Sequence, residues 1–348
     1  MRVLAAGIDS VYLSAKGELR DGLLNALQAA REQDQGEAAV FDFDPEEGSY
    51  LLRPHGWRGY PYWLSSPRFE LMIGAAPPFP PVYLMLHSPY LHTVGIEAAL
   101  AEAEAMLSRH VFAGACVVNV SRADLYADIQ GWTPRLRDLD RFVCRAVRRR
   151  MFFAKEAYTA NRRLSGFTFG KGDLLARIYD KTAEIRSTGD DWPELLWQGA
   201  NRERPVWRVE FQFRSKALRN FGITTPYGLL VAQQDLWEYG TRWLTLRRPT
   251  KHAEPYRWPE APTWSVIRSV QMGSPACGLV RERIRETDTR RLVRGFLGYA
   301  AALAALTDAD DLDVAITRSL PIVRRYLADR GTGFPELVQR KRRTRSRP

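Results

Sequence analysis

The chemistry of this chain is most legible in Leu175-Ala-Arg-Ile-Tyr-Asp-Lys-Thr-Ala-Glu184. An extended backbone alternates its side chains, so Arg177, Tyr179 and Lys181 fall on one side, with Ala176 and Ile178 on the other. A tyrosine between two cations suits attack on a phosphate ester. The cations draw the phosphate in, and they favour the phenolate over a phenol whose free pKa is ~10. The competing reading is a half-exposed strand carrying ordinary surface residues, and two other stretches weigh against it.

The first of these is Cys116-Val-Val-Asn-Val-Ser-Arg-Ala-Asp-Leu-Tyr-Ala-Asp-Ile129, with Arg122, Asp124, Tyr126 and Asp128 on one face and apolar residues on the other. The second is Val206-Trp-Arg-Val-Glu-Phe-Gln-Phe213, which separates Arg208, Glu210 and Gln212 from Trp207, Val209, Phe211 and Phe213. As neighbours in one antiparallel sheet, the three ribbons would bring Asp124, Glu210 and Tyr179 to a common site. Hard divalent cations take oxygen ligands, so Mg²⁺ or Mn²⁺ is the expected cofactor. The five histidines include no His-x-His or His-x-x-x-His pair, so a histidine metal box is not offered. Asp124 and Asp128 lie about 13 Å apart along a straight strand, too far to share an ion. Asp124 is the preferred ligand and Asp128 the fallback.

Elements to position these residues can be read on both sides. Residues 7–14 form a first strand, followed by a helix over 20–33 with Leu23, Leu24, Leu27 and Ala30 on its apolar stripe. Short strands are expected near 38–43, 49–53, 69–73 and 82–86. Between them, His55-Gly-Trp-Arg-Gly-Tyr-Pro-Tyr-Trp63 is an aromatic and cationic loop, suited to stacking unpaired bases or simply packed by its own rings. Helices are expected over 95–110 and 134–147, the second started by Thr133-Pro134. The strand-then-helix pattern near 7–33 therefore recurs near 117–147, which hints at an internal duplication. A hairpin over 162–170 and 174–181, a helix over 226–246, a connector from Pro249 to Pro262 and helices over 288–306 and 312–328 complete the pattern.

Composition narrows the partners. The 348 residues, 45% hydrophobic, can bury a substantial core. The net charge is +11, and residues 340–348 carry six basic groups and no acid, leaving about +5 for the rest. Such a tail is an electrostatic arm for a polyanion, most commonly DNA or RNA, or a solvated terminus kept basic for solubility. Cys116, Cys144 and Cys277 are too scattered for a disulfide framework or a zinc site. No basic-then-apolar leader opens the chain and no run approaches ~18 apolar residues, so a cytoplasmic protein without membrane association is expected.

Four segments together resemble the replication initiation factor family of rolling-circle initiators and related relaxases. They are Ser121-Arg-Ala-Asp-Leu-Tyr-Ala-Asp128, Phe167-Thr-Phe-Gly-Lys-Gly172, Leu175–Glu184 and Trp207-Arg-Val-Glu-Phe-Gln-Phe213. Gly7-Ile-Asp-Ser-Val-Tyr-Leu-Ser14 is similar to the family's opening strand, and the resemblance spans roughly residues 5 to 250. It implies an α/β (α+β) fold: a two-layer palm with a central, largely antiparallel sheet backed by helices. A catalytic domain over 1–250 in two similar halves, about 1–115 and 116–250, is therefore expected. The residues after 250 match nothing in the family; their helical spacing and charge give a C-terminal helical extension over 251–339 and a disordered basic tail over 340–348.

The activity implied is metal-dependent, origin-specific DNA nicking. The family's nicking tyrosine maps onto Tyr179, and its strand acids map onto Asp124 and Glu210. Tyr179 would attack in line, giving a 5′-phosphotyrosine and a free 3′-hydroxyl, while Lys181, Arg177 and Arg208 offset charge on the phosphoryl oxygens. The expected target is single-stranded DNA or an extruded hairpin origin with flanking duplex. Arg281, Arg283, Arg285, Arg290, Arg291 and Arg294, together with Arg340, Lys341, Arg342 and Arg343, are candidates for duplex contacts. The family further implies a homodimer; whether a host helicase is also a partner stays open. Two other readings share the pattern: a relaxase of a conjugative or integrated element, and a DNA-binding protein that keeps the fold without cleaving.

Overall fold

The computed structural model describes residues 1–33, 37–44, 48–74, 76–144, 149–155, 162–273, 289–329 and 331–339. Eleven strands form one sheet. In chain order they begin with β1 (Arg2–Lys16), β2 (Ala39–Asp42), β3 (Ser49–Leu52), β4 (Tyr62–Ser65), β5 (Phe69–Ile73) and β6 (Val82–Leu86). β7 (Val117–Gln130) follows, and after a short β8 (Phe142–Cys144) come β9 (Arg149–Lys155), β10 (Arg162–Gly170), β11 (Leu174–Asp180) and β12 (Val206–Arg214). The spatial order is β2-β3-β4-β5-β6-β1-β7-β12-β11-β10-β9, and every neighbouring pair is antiparallel. The fold is α+β, with this antiparallel sheet backed by helices.

The alternation in the sequence explains which face is covered. Ala123, Leu125, Ala127 and Ile129 on β7, Ala176 and Ile178 on β11, and Trp207, Val209, Phe211 and Phe213 on β12 are all buried. Full burial of a large apolar side chain is worth about 1.5–3 kcal/mol, so a shift of one residue in any of these strands would be heavily penalised. On the N-terminal side the helices are α1 (Leu23–Gln33), α2 (Ser88–Val94) and α3 (Ile96–Met106). After β11 come α4 (Lys181–Thr188), α5 (Ser215–Asn220), α6 (Pro226–Trp243) and α7 (Pro262–Arg268). Apolar residues of α3 and α6 (Leu100, Leu229, Leu236 and Trp237) join the same core as the buried strand residues.

The chain path runs twice. β1 lies at the centre; the chain then leaves for the edge at β2 and meanders back to β6, beside β1, before α2 and α3. β7 lies next to β1, the chain leaves for the opposite edge at β9, and it meanders back to β12, beside β7, before α5 and α6. What recurs is the strand path, not a strand followed by a helix. The helix expected over 134–147 is a correction. Leu136–Arg141 is a 3₁₀ turn and Phe142–Cys144 is β8, paired with a further short strand, β13 (Leu244–Leu246). Phe142 is buried against Phe167, Phe169 and Trp264, so tertiary packing overrides the local helical pattern. Residues 145–148 lie outside the described residues.

By compactness the chain divides into Met1–Glu282 and Arg283–Pro348. The second unit contains α8 (Thr289–Thr307) and α9 (Leu312–Asp329), near the helices expected over 288–306 and 312–328. Arg290, Arg291 and Arg294 fall in α8. Arg281, Arg283, Arg285 and the basic tail, including Arg340, Lys341, Arg342 and Arg343, lie outside the described residues. Among the described residues, no helix is long and apolar enough to cross a membrane.

Candidate active site

Opposed residues in a ladder project to the same face, so register places the candidate side chains. Asp124 lies between Ser10 of β1 and Gln212 of β12. One pleat further, Tyr126, Glu210 and Arg177 form a row across β7, β12 and β11. The next row is Asp128, Arg208 and Tyr179. Asp124 and Glu210 are therefore diagonal neighbours, with backbones about 7–8 Å apart. The polar face of the sheet brings Tyr179, Glu210, Asp124 and Arg177 into one neighbourhood, with Asp124 and Glu210 themselves buried.

Tyr179 is half-buried, and its hydroxyl donates to Glu210 Oε2 at 3.1 Å. Arg177 bridges the same carboxylate and its neighbour, donating to Glu210 Oε1 at 2.7 Å and to Gln212 Oε1 at 3.2 Å. Tyr179 can sit this close to β10 because its partner there is Gly166. A Cβ on Gly166 would lie 2.5 Å from the Ile178 carbonyl oxygen and 2.8 Å from Tyr179 Cβ. Arg177 and Tyr179 open onto a cavity of about 460 Å³ whose far wall is α4.

Asp124 is held by the Arg122 guanidinium, whose Nε donates at 2.8 Å, and by Ser10 Oγ at 3.1 Å. Burial pushes the Asp124 carboxyl up against the opposing pull of Arg122. Burial, reinforced by repulsion from Asp124 and Asp9, pushes Glu210 up to about 7. Burial, and then the charge of Glu210, hold the Tyr179 phenol well above its ordinary value. The expectation that its cations favour the phenolate is corrected: Arg177 neutralises Glu210 instead, and desolvation of the ring dominates.

Three other expectations change. Lys181 does not continue the strand. Asp180 caps α4 by accepting from Ala183 N–H at 2.9 Å, and Lys181 begins the helix. Its ammonium pairs with Glu184 and lies 5.9 Å from the centre of the Tyr179 ring. Arg208 is wholly inaccessible. Its Nε and Nη2 grip Asp128 at 2.7 and 2.8 Å, its Nη1 reaches Asp9 at 2.6 Å, and its guanidinium lies 3.9 Å from the centre of the Tyr126 ring. It is therefore out of reach of a phosphoryl group; it braces the site. Asp128 is likewise no ligand, because Trp197 Nε1 donates to it at 2.8 Å and Arg208 takes both of its oxygens.

Asp9 is the residue that sequence reasoning missed. It sits in a bulge of β1, between Ile8 opposite Leu125 and Ser10 opposite Asp124. There it accepts from Arg208 and from Ser88 Oγ, the latter at 2.9 Å. The only signal in the sequence is an acid inside an otherwise uncharged strand, Gly7–Ser14. With Asp9 included, four carboxylates on this face meet three guanidinium groups in ion pairs. Gln212 Nε2 and Thr168 Oγ1, both buried, find no partner among the described residues. An oxygen-only donor set with surplus negative charge suits a hard divalent cation. Among the described residues, no three His, Cys, Asp or Glu side chains group closely enough to enclose one. Both oxygens of Asp124 are engaged by Arg122 and Ser10, and both of Glu210 by Arg177 and Tyr179, so an ion bound here would have to displace such a partner.

No family model matches the chain. The uncharacterized protein ORF430 of Pseudomonas phage Pf1 is 28% identical over a match covering 36% of this chain and 36% of that protein. The chain thus spans little more than a third of the length of the curated relative it matches. It is also similar to a solved rolling-circle replication initiator. That protein, from Geobacillus stearothermophilus, aligns over 77% of this chain and 98% of its own, with a TM-score of 0.46 and 15% identity.

Proposed function

We propose that this chain nicks single-stranded DNA as an initiator of rolling-circle replication, with Tyr179 as nucleophile and Glu210 as its base. The observation that carries this is the hydrogen bond from the Tyr179 hydroxyl to Glu210, a carboxylate whose pKa is raised to about 7. A base that titrates near working pH accepts a proton most effectively in the transition state. In the step, the tyrosine oxygen bonds to phosphorus as its proton passes to Glu210 Oε2. The bond from phosphorus to the 3′ oxygen breaks, and that oxygen leaves with a proton drawn from solvent. The products are a 5′-phosphotyrosine and a free 3′-hydroxyl.

Arg177, at the rim of the cavity, is placed to offset charge on the phosphoryl oxygens, and the unpartnered Gln212 amide is a second donor. With Glu210 serving as the base, Asp124 is the acid that would hold Mg²⁺ or Mn²⁺, which when bound would polarise the scissile phosphate. The recessed site favours an unpaired strand, because a phosphate in a stacked duplex is poorly presented to it. The test is incubation with single-stranded oligonucleotides tiled across the DNA that flanks the chain's own gene, with and without Mn²⁺. A protein–DNA adduct that survives denaturant and is absent in Tyr179→Phe is expected. Adduct formation by Tyr179→Phe, or by the wild type at none of the tiles, would count against the reading.

A further inference from the structure

The polar face of the sheet extends beyond the buried acids into the N-terminal half, where its character changes. Tyr12 of β1 lies opposite Arg122 and Met85, and Ser14 lies opposite Tyr83 of β6, so these side chains continue the same face. Trp57 stacks on Tyr83 with ring centres 6.1 Å apart and planes 19° apart, and Tyr12 meets Tyr83 edge-on at 6.1 Å. The rings border a cavity of about 430 Å³ that Arg58, Arg122 and Arg214 also line. Trp57, Tyr12 and Tyr83 are only partly buried; Trp57 has Tyr83 and the exposed Arg58 guanidinium against it, so a base stacking on Trp57 would take the place of Arg58.

The loop that delivers Trp57 is built at some conformational expense. Trp57 and Tyr60 exchange backbone hydrogen bonds, both at 2.9 Å, around a two-residue turn. That turn needs positive φ at both central residues, and Arg58 adopts φ 47° although it is not glycine. The left-handed residue puts its guanidinium 4.6 Å from the centre of the Trp57 ring. A Cβ on the preceding Gly56 would lie 2.1 Å from the Tyr60 carbonyl oxygen, so the tightness of the turn depends on that glycine too. Strain of this kind in a half-exposed loop marks a site the surrounding fold is holding in shape.

We infer that this aromatic and cationic groove holds an unpaired base of the DNA strand, stacked against Trp57 and Tyr83, with Arg58 and Arg214 on the flanking phosphates. Stacking on exposed rings beside cations is how proteins grip single strands without reading their sequence. The row containing Tyr12 and Arg122 lies six residues along β7 from the row containing Tyr179, about 20 Å. The groove would thus grip the strand a few nucleotides from the phosphate to be cut, an assignment that rests on the nicking function proposed above.

The experiment uses the full chain carrying Tyr179→Phe, without metal, so that binding is read apart from cleavage. The probes are fluorescein-labelled oligo(dT) and an abasic deoxyribose-phosphate strand of equal length, followed by anisotropy. Oligo(dT) should bind more tightly than the abasic strand, and Trp57→Ala should weaken oligo(dT) roughly 5- to 150-fold, while leaving the abasic strand little changed. Trp57→Phe should restore most of the loss, separating stacking from misfolding. Independently, irradiation of a bromouracil-substituted strand should crosslink within Trp57–Tyr60 or at Tyr83. Equal affinity for the two strands, or crosslinks confined to other segments, would overturn the groove while leaving the nicking reading standing. Base-dependent binding in a chain that never forms an adduct would do the reverse.

Discussion

The two halves of the sheet follow one strand path and present opposite chemistries on the same polar face. Around β7, β11 and β12 that face is ionic: Asp124, Asp128, Glu210, Arg177 and Arg208, with Asp9 reaching in from β1. Around β1, β5 and β6 it is aromatic and soft, with Tyr12, Tyr83, Met72 and Met85 in register and Glu70 the acid among them. Even that acid behaves differently. Burial opposes its charge, but hydrogen bonds from His87, Ser65 and Trp63 outweigh this and pull Glu70 below the ordinary carboxylate range. Glu210 is raised by burial and then by two repelling acids, Asp124 and Asp9, which outweigh the guanidinium groups of Arg177 and Arg208. Backbone path therefore supplies a surface, and local charge balance decides whether that surface reacts or grips.

The contrast can be broken most severely at the reacting oxygen. Tyr179→Phe should abolish both nicking and adduct, as judged by denaturing gels, while anisotropy shows strand affinity nearly unchanged. Glu210→Gln should slow adduct formation by ~10²–10⁴. In the wild type that rate should climb as pH rises through about 7, because Glu210 must lose its proton to act as a base. Stability should show the opposite slope. The folded chain keeps this proton up to about 7 and the unfolded chain releases it near 4–5, so this group favours folding more as pH falls across that window. Urea titrations at several pH values should show the slope in the wild type and its loss in Glu210→Gln.

Next in size is the brace. Asp128→Ala leaves Arg208 buried with only Asp9 to answer it, which should lower stability by about 3–5 kcal/mol in urea unfolding. The smallest effect concerns the tail. Removing residues 340–348 should weaken duplex binding and flatten its salt dependence by about 0.9 in log–log slope for each phosphate no longer neutralised, with the single-strand adduct rate unaltered. A tail deletion that instead stopped adduct formation would assign those residues to the ionic half of the contrast.

Much of this arrangement could be read from period-two alternation. It located β7, β11 and β12 within a residue or two and put Asp124, Glu210 and Tyr179 on one face, because a long strand with one apolar side has a single workable register. What alternation cannot carry is a break in it. Lys181 looks like the next strand position, yet Asp180 caps a helix there. The bulge that admits Asp9 has no compositional mark. Nor can local sequence fix the sign of a pKa shift: two adjacent cations suggested a phenolate, and burial beneath neighbouring strands reversed it. At 134–147, helical spacing lost to an aromatic cluster assembled from β8, β10 and α7.

The bulge at Asp9, one of two in β1, adds a residue that β7 does not match at that point. Deleting Asp9 would let Ile8 and Ser10 keep their partners Leu125 and Asp124 in an uninterrupted ladder, so the chain would lose an anion without losing its frame. Arg208 would then keep one of its two acidic anchors. A single codon gained or lost at this point is thus a discrete dial on how tightly the guanidinium is pinned, and related chains can be sorted by whether they carry it.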